Sequence, residues 1–276
     1  MREIEPLEVT GLFPGLLGEL LKVLESLSVE EWDLPTPCPG WSVHDLASHV
    51  LGVEVGQLSM GRDGHGLALI DAGDWDDLVA ALNDHNERWV RSMRGVSPRL
   101  LVDLIRSTGG QVNRYLASLD PLLAGPTVSW VGETPAPMWL HIAREYTERW
   151  HHQQQIRMAA GRPLLTDRRW FAPAIATFVH GLPRAYSDVD ARVGSVVRIT
   201  VSGPSGGTWL IVRTQCAWVL GRDDSSASDA HVTISEIDAW KLFTKSLTRG
   251  DIESGARLEG DRALGLRALS TVSIIA

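Results

Sequence analysis

The sequence predicts two domains of different class: a four-helix bundle, residues 1–165, then a smaller α+β domain with an antiparallel sheet, residues 166–276. Three observations predict it. Apolar residues recur at helical spacing up to about residue 160. Short β-branched and aromatic runs, separated by turn residues, take over after residue 165. A chain of 276 residues is also long for one hydrophobic core and comfortable for two.

The first helix is expected over Leu17 to Leu27, apolar at Leu17, Leu20, Leu21, Val23, Leu24 and Leu27. The second runs from Ser42 to about Met60. Ser42 follows the breakers Pro39 and Gly40 as an N-cap, and Asp45 stands three residues on, like the acidic member of a capping box. A third, from Asp74 to about Met93, opens with Asp74, Asp76 and Asp77, as the helix dipole favours. Ser97-Pro98 starts a further segment that Gly109-Gly110 is expected to interrupt before Val112 to Leu119. The last long helix spans Pro137 to Ala160 and is stopped by Gly161 and Pro163.

Beyond it, Trp170 to Tyr186 predicts a helix broken late by Pro183. Val196 to Val201, Thr208 to Val212, Cys216 to Leu220 and Ala230 to Ile234 predict strands. The Gly203 to Gly207 loop lacks the Gly-Lys-Ser/Thr ending of a phosphate cradle and reads as a hairpin. Helices over Ile237 to Ser246 and Arg262 to Val272 close the chain.

Acidic residues outnumber basic ones, 34 against 26, a formal net charge of −8. Nucleic-acid binding by counter-ion release is therefore not expected. Cys38 and Cys216 form no metal or redox pattern and are expected to be reduced thiols. The N-terminus has no basic segment followed by an apolar one, and no apolar run reaches the roughly 18 residues of a membrane span. A cytoplasmic location without membrane attachment is the expectation.

Glu148 and His152 stand four residues apart on the last bundle helix, about 40° apart on the wheel. A carboxylate and an imidazole side by side supply two ligands for a divalent metal; a solvated polar stripe would carry the same spacing. The best third ligand is His49 on the second helix, at the margin of the apolar stripe. Glu145 is the rival ligand or a partner behind the site, whereas His141 is about 16 Å from His152 along the axis, too far to share one ion. His151 is expected at the solvent or at a helix contact, His44 exposed near the first turn, and His85 on the surface. Cys38, between two prolines with no histidine fixed beside it, reads as structural rather than nucleophilic. In the second domain Arg222 and Arg249 are candidates for an anionic substrate or cofactor.

The run Leu34-Pro35-Thr36-Pro37-Cys38-Pro39-Gly40-Trp41-Ser42-Val43-His44-Asp45-Leu46-Ala47-Ser48-His49, with Glu148 to Gln155, resembles the mycothiol-dependent maleylpyruvate isomerase family. The resemblance implies a DinB-like four-helix bundle joined to a sterol-carrier-protein-like domain. It implies a divalent metal, zinc being expected, held by His49, Glu148 and His152, and mycothiol as a thiol cosubstrate whose sulfur takes an open metal position. In the isomerase reaction the thiolate adds to an electron-poor double bond, rotation follows, and elimination leaves the trans isomer. The partners implied are a small-molecule thiol and an electrophile. Where the family commonly has Asp this chain has Gln155, which cannot place a negative charge behind the site. Related members resemble thiol S-transferases, so the family does not fix the substrate. Two alternatives stand beside this reading: a hydrolase using metal-activated water with Glu145 as base, and a non-catalytic ligand-binding protein.

Overall fold

The computed structural model describes residues 2–66, 75–132, 135–222 and 227–273. The chain divides into two compact units, neither continuous in sequence. One comprises Val9–Asp120 and Glu148–Leu165; the other comprises Met1–Glu8, Pro121–Thr147 and Thr166–Ile275.

The first unit is the bundle. Helices α1 (Phe13–Glu25), α2 (Val43–Gly56), α3 (Trp75–Met93), α4 (Pro98–Ser118) and the C-terminal part of α5 (Met138–Ala159) build it. Leu20 and Leu24 from α1, Leu46 and Val50 from α2, Leu101 and Ile105 from α4, and Ile156 from α5 share one buried core. Removing each such side chain from water contributes about 1.5–3 kcal/mol. These four helices are the bundle proper, and α3 packs on α2. The first residue expected in the third helix, Asp74, lies outside the described residues.

The expected break at Gly109-Gly110 does not occur: α4 runs unbroken through both. Two glycines cost a helix about 1 kcal/mol each, but packing outweighs that here. A Cβ on Gly109 would come within 2.8 Å of both Glu54 Oε1 and Leu17 Cδ1. The glycine is there to let α1 and α2 approach α4.

The second unit holds α6 (Arg168–Phe178), a 3-10 turn at Val179–Gly181 and α7 (Leu182–Ala185), with Pro183 in the first turn of α7. Strands β1 (Val196–Ser202), β2 (Gly207–Arg213), β3 (Trp218–Arg222) and β4 (Ala230–Ser235) follow, then α8 (Glu236–Phe243), α9 (Arg249–Glu253), β5 (Arg257–Gly260) and α10 (Arg262–Ala268). Phe171 and Phe178 of α6 pack against Trp240 and Phe243 of α8, each pair of ring centroids 6.2 Å apart. Val197, Ile199 and Val201 of β1 are buried in alternation, as a half-covered strand requires. The β1–β2 connection is the expected hairpin, and Gly206 is needed in it because a Cβ would fall 1.9 Å from the Val201 carbonyl oxygen.

The strand order is β3-β2-β1-β4-β5, antiparallel at three of its four pairings. The fourth departs from the expected pattern: β4 lies parallel to β1, with Ile199 opposite Val232. The chain leaves the β3 edge and returns on the far side of β1, so it enters β4 from the end at which β1 begins. The edge strand β5 went unpredicted because its four residues, Arg-Leu-Glu-Gly, carry no apolar alternation.

Candidate metal centre

The turn before α2 is fixed by its own hydrogen bonds. Thr36 N–H and Oγ1 donate to the Trp41 carbonyl at 3.0 and 2.9 Å, Trp41 N–H donates to the Cys38 carbonyl at 3.1 Å, and Gly40 takes φ +80°. Ser42 then caps α2 in a complete capping box with Asp45. Arg94 grips the same Asp45 with two bonds, Nε to Oδ1 at 2.9 Å and Nη2 to Oδ2 at 3.1 Å. The direction in which α2 sets out, and with it the place of His49 two turns on, is fixed from both sides.

His49 is 6% exposed and His152 8% exposed. Glu148 Oε1 lies 3.3 Å from His49 Nε2 and 3.0 Å from His152 Nε2, and the two imidazole centroids are 4.7 Å apart at 83°. The three donor atoms all fall within 4.8 Å of one another, and no other His, Cys, Asp or Glu joins such a group among the described residues. Donors about 2.0–2.1 Å from one tetrahedral ion stand about 3.3 Å apart, so the spacing of the carboxylate from each imidazole fits a cation between them. The donor set, two imidazoles and a carboxylate, suits zinc and its first-row neighbours. The Trp41 ring walls His49 at 5.1 Å, held by its Nε1–H donating to Glu87 Oε2 of α3 at 2.9 Å.

Charge within the cluster follows from burial and neighbours. Burial makes the charged imidazole of His49 costly and lowers its pKa, against the opposing pull of Glu148. Burial also opposes charge on His152, but the Glu148 carboxylate and, beside it, Cys38 outweigh burial and raise the pKa to about 10. For Glu148 itself burial is overcome by the two histidines, and the carboxyl stays well below the usual range.

The remaining sequence candidates fall elsewhere. Glu145 is fully buried and bound to the Arg144 guanidinium, outside the donor group. His151 is not at the solvent: it is 4% exposed, its ring 5.5 Å from that of His152, and burial pushes its pKa down to about 3. His44 corrects the expectation of exposure, since its Nε2 bonds the Val96 carbonyl at 2.8 Å and its ring meets Trp32 edge-on at 6.0 Å. His141 is buried and His85 exposed. Arg222 lies within β3, not after it, and stacks over the Trp209 ring at 4.9 Å. Arg249 opens α9; its side chain lies outside the described residues.

Two features escaped sequence reasoning. Cys38 lies behind the site, its Sγ donating to Gln155 Oε1 at 3.3 Å, while the same oxygen is 2.8 Å from His152 Nδ1. The second is a buried polar group around Glu54, Thr108 and Arg149. Its signal was present: Glu54 continues the apolar stripe of Val43, Leu46, Ala47, Val50 and Leu51 at helical spacing.

Two helices of one bundle bring two histidines and a glutamate to one point, which defines a helical-bundle protein with a candidate metal site. The family description "Mycothiol maleylpyruvate isomerase N-terminal domain" matches residues 14–157, just over half of the chain, and the chain belongs to that family. Two solved structures share its fold. A crystal structure of mycothiol-dependent maleylpyruvate isomerase is 12% identical, covers 88% of this chain and 91% of its own, and has a TM-score of 0.54. The crystal structure of a histidine-to-alanine mutant of mycothiol-dependent maleylpyruvate isomerase gives 11%, 88%, 91% and 0.55. Sterol carrier protein 2 like 2 from Aedes aegypti is 21% identical over 36% of this chain and 95% of its own, at a TM-score of 0.28. No curated protein sequence matches. Among the described residues no helix is long and apolar enough to cross a membrane.

Proposed function

We propose that the protein is a cytoplasmic, metal-dependent mycothiol enzyme that joins the thiol to an electrophilic small molecule, as an isomerase or S-transferase. The observation that carries this reading is the convergence of His49, Glu148 and His152 within 4.8 Å in a chain of this family. All three ligands lie in the bundle unit, Val9–Asp120 with Glu148–Leu165. A divalent cation, zinc being the expected one, would supply a thiolate at neutral pH from a thiol whose free pKa is about 8.5. His49 is ready for that role, because burial already keeps its imidazole neutral. Glu148 brings the only negative charge of the set, so a bound divalent cation keeps net positive charge and favours an anionic sulfur as a further ligand. Three protein donors leave a position open, as catalytic rather than structural sites do. The Trp41 ring covers one side of His49.

Hydrolysis by activated water would need a carboxylate base nearby. Glu145, the sequence candidate, is engaged by Arg144, which favours thiol chemistry. The test is incubation of metal-loaded protein with mycothiol and maleylpyruvate, or another electron-poor olefin, followed by ultraviolet absorbance and mass spectrometry. Turnover that requires both thiol and metal is the expected result. Metal-dependent hydrolysis indifferent to thiol would replace this reading, and an inert metal-loaded protein would leave only ligand binding.

A further inference from the structure

We propose that Gln155 is the positioning residue of the metal site, its side-chain oxygen holding His152 and Cys38 together so that His152 Nε2 faces Glu148 and His49. The inference rests on the metal reading above and deepens it. Gln155 lies three residues after His152 on α5, on the same helix face. Its Oε1 is 2.8 Å from His152 Nδ1 and accepts from Cys38 Sγ at 3.3 Å. Both of the oxygen's lone pairs are therefore used.

The chemistry decides which way the amide points. An amide oxygen only accepts, so the nitrogen facing it must be Nδ1–H, and the neutral ring then carries its lone pair on Nε2. That is the nitrogen 3.0 Å from Glu148 Oε1. The reversed amide would present N–H to Nδ1 and force the proton onto Nε2, where no cation could bind. Cys38 matches the first orientation, its S–H donating to the same oxygen. The rigid Pro37-Cys38-Pro39 turn, tied by Cys38 N–H to Thr36 Oγ1 at 3.2 Å, holds the thiol there. The turn that starts α2 and the ligand on α5 are thus joined through one atom.

An amide differs from a carboxylate in charge. Gln155 fixes the ring without adding a negative charge behind it, so Glu148 remains the cluster's only anion. A carboxylate in its place would make His152 a more basic ligand and hold the cation more tightly.

The experiment is a zinc titration against a chromophoric chelator at pH 7.5 for wild type, Gln155→Leu, Gln155→Glu and Cys38→Ala, with circular dichroism on each. The cobalt(II) visible spectrum reports geometry in parallel. Gln155→Leu is expected to weaken zinc by about 10–100-fold and broaden the cobalt bands. Gln155→Glu, of the same shape and still an acceptor, should bind at least as tightly as wild type. Cys38→Ala should lose less than Gln155→Leu. Folded Gln155→Leu protein with wild-type affinity overturns the proposal, and so does a Gln155→Glu variant as weak as the leucine one, which would reduce the residue to packing. A wild type that takes up no zinc would instead overturn the metal reading beneath it.

Discussion

A His49→Ala variant is expected to lose tight metal binding and remain folded. Removing one of three protein donors should weaken zinc by at least about a thousandfold, or about 4 kcal/mol. The fold should survive because Glu148 keeps its partner His152 at 3.0 Å, so no buried charge is stranded. Metal analysis after gel filtration, with a thermal melt, checks both halves; a variant that retains stoichiometric zinc would remove His49 from the site. The wild type should also show a definite pH dependence. Burial works against charge on His152, yet Glu148 and Cys38 together raise its pKa to about 10, so the metal-free protein carries that proton at neutral pH. The raised value means that the proton stabilises the folded, metal-free state below about pH 6.5, and that this contribution fades as pH climbs through 10. A cation must displace the proton. Affinity should rise about tenfold per pH unit between roughly 7 and 9, with one proton released per ion, measurable by calorimetry in buffers of different ionisation enthalpy. An affinity flat across that range would contradict the pairing of His152 with Glu148.

Much of this site was legible in the sequence, for local reasons. Helical spacing alone puts Glu148 beside His152, and the cap at Ser42 with Asp45 sets the phase of α2 on which His49 depends. The convergence of the two helices is a tertiary fact, and the resemblance rather than the periodicity pointed to it. What stayed hidden depends on partners distant in the chain. Cys38 and Gln155 are 117 residues apart, and nothing near either predicts their bond. His44 finds Val96, 52 residues on, and so leaves the solvent that its place in the first turn suggests. Gly109 departs from its propensity for the same reason: by itself it disfavours a helix, whereas the packed bundle sets Leu17 and Glu54 against it.

The largest stability effect is expected one and a half turns beyond His49, at Glu54. This side chain is 1% exposed, and Thr108 Oγ1 donates to its Oε2 at 2.5 Å. Burial raises its pKa to about 7, against the lowering pull of Arg149 and the Thr108 bond. Arg149 is itself buried on α5, its guanidinium 5.6 Å over the Phe13 ring, with Asn113 and Gln153 beside the two in a cavity of about 10 Å³, room for about one water. Glu54→Leu strips the Thr108 hydroxyl of this acceptor and the buried Arg149 of the polar group beside it, at a cost of roughly 3 kcal/mol. For a protein of this size that lowers Tm by about 10 °C. The sign with pH is distinctive. A folded pKa above the solution value means that the folded state holds the Glu54 proton more tightly, so this group's contribution is full below about pH 4.5 and declines as pH rises through 7. The penalty of Glu54→Leu should therefore be larger at pH 5 than at pH 8, opposite to the trend of an ordinary surface ion pair. Urea unfolding of both proteins at the two pH values measures it. A penalty below about 1 kcal/mol, or one that grows with pH, would mean that Glu54 is charged in the folded protein, not held as a buried acid between α2, α4 and α5.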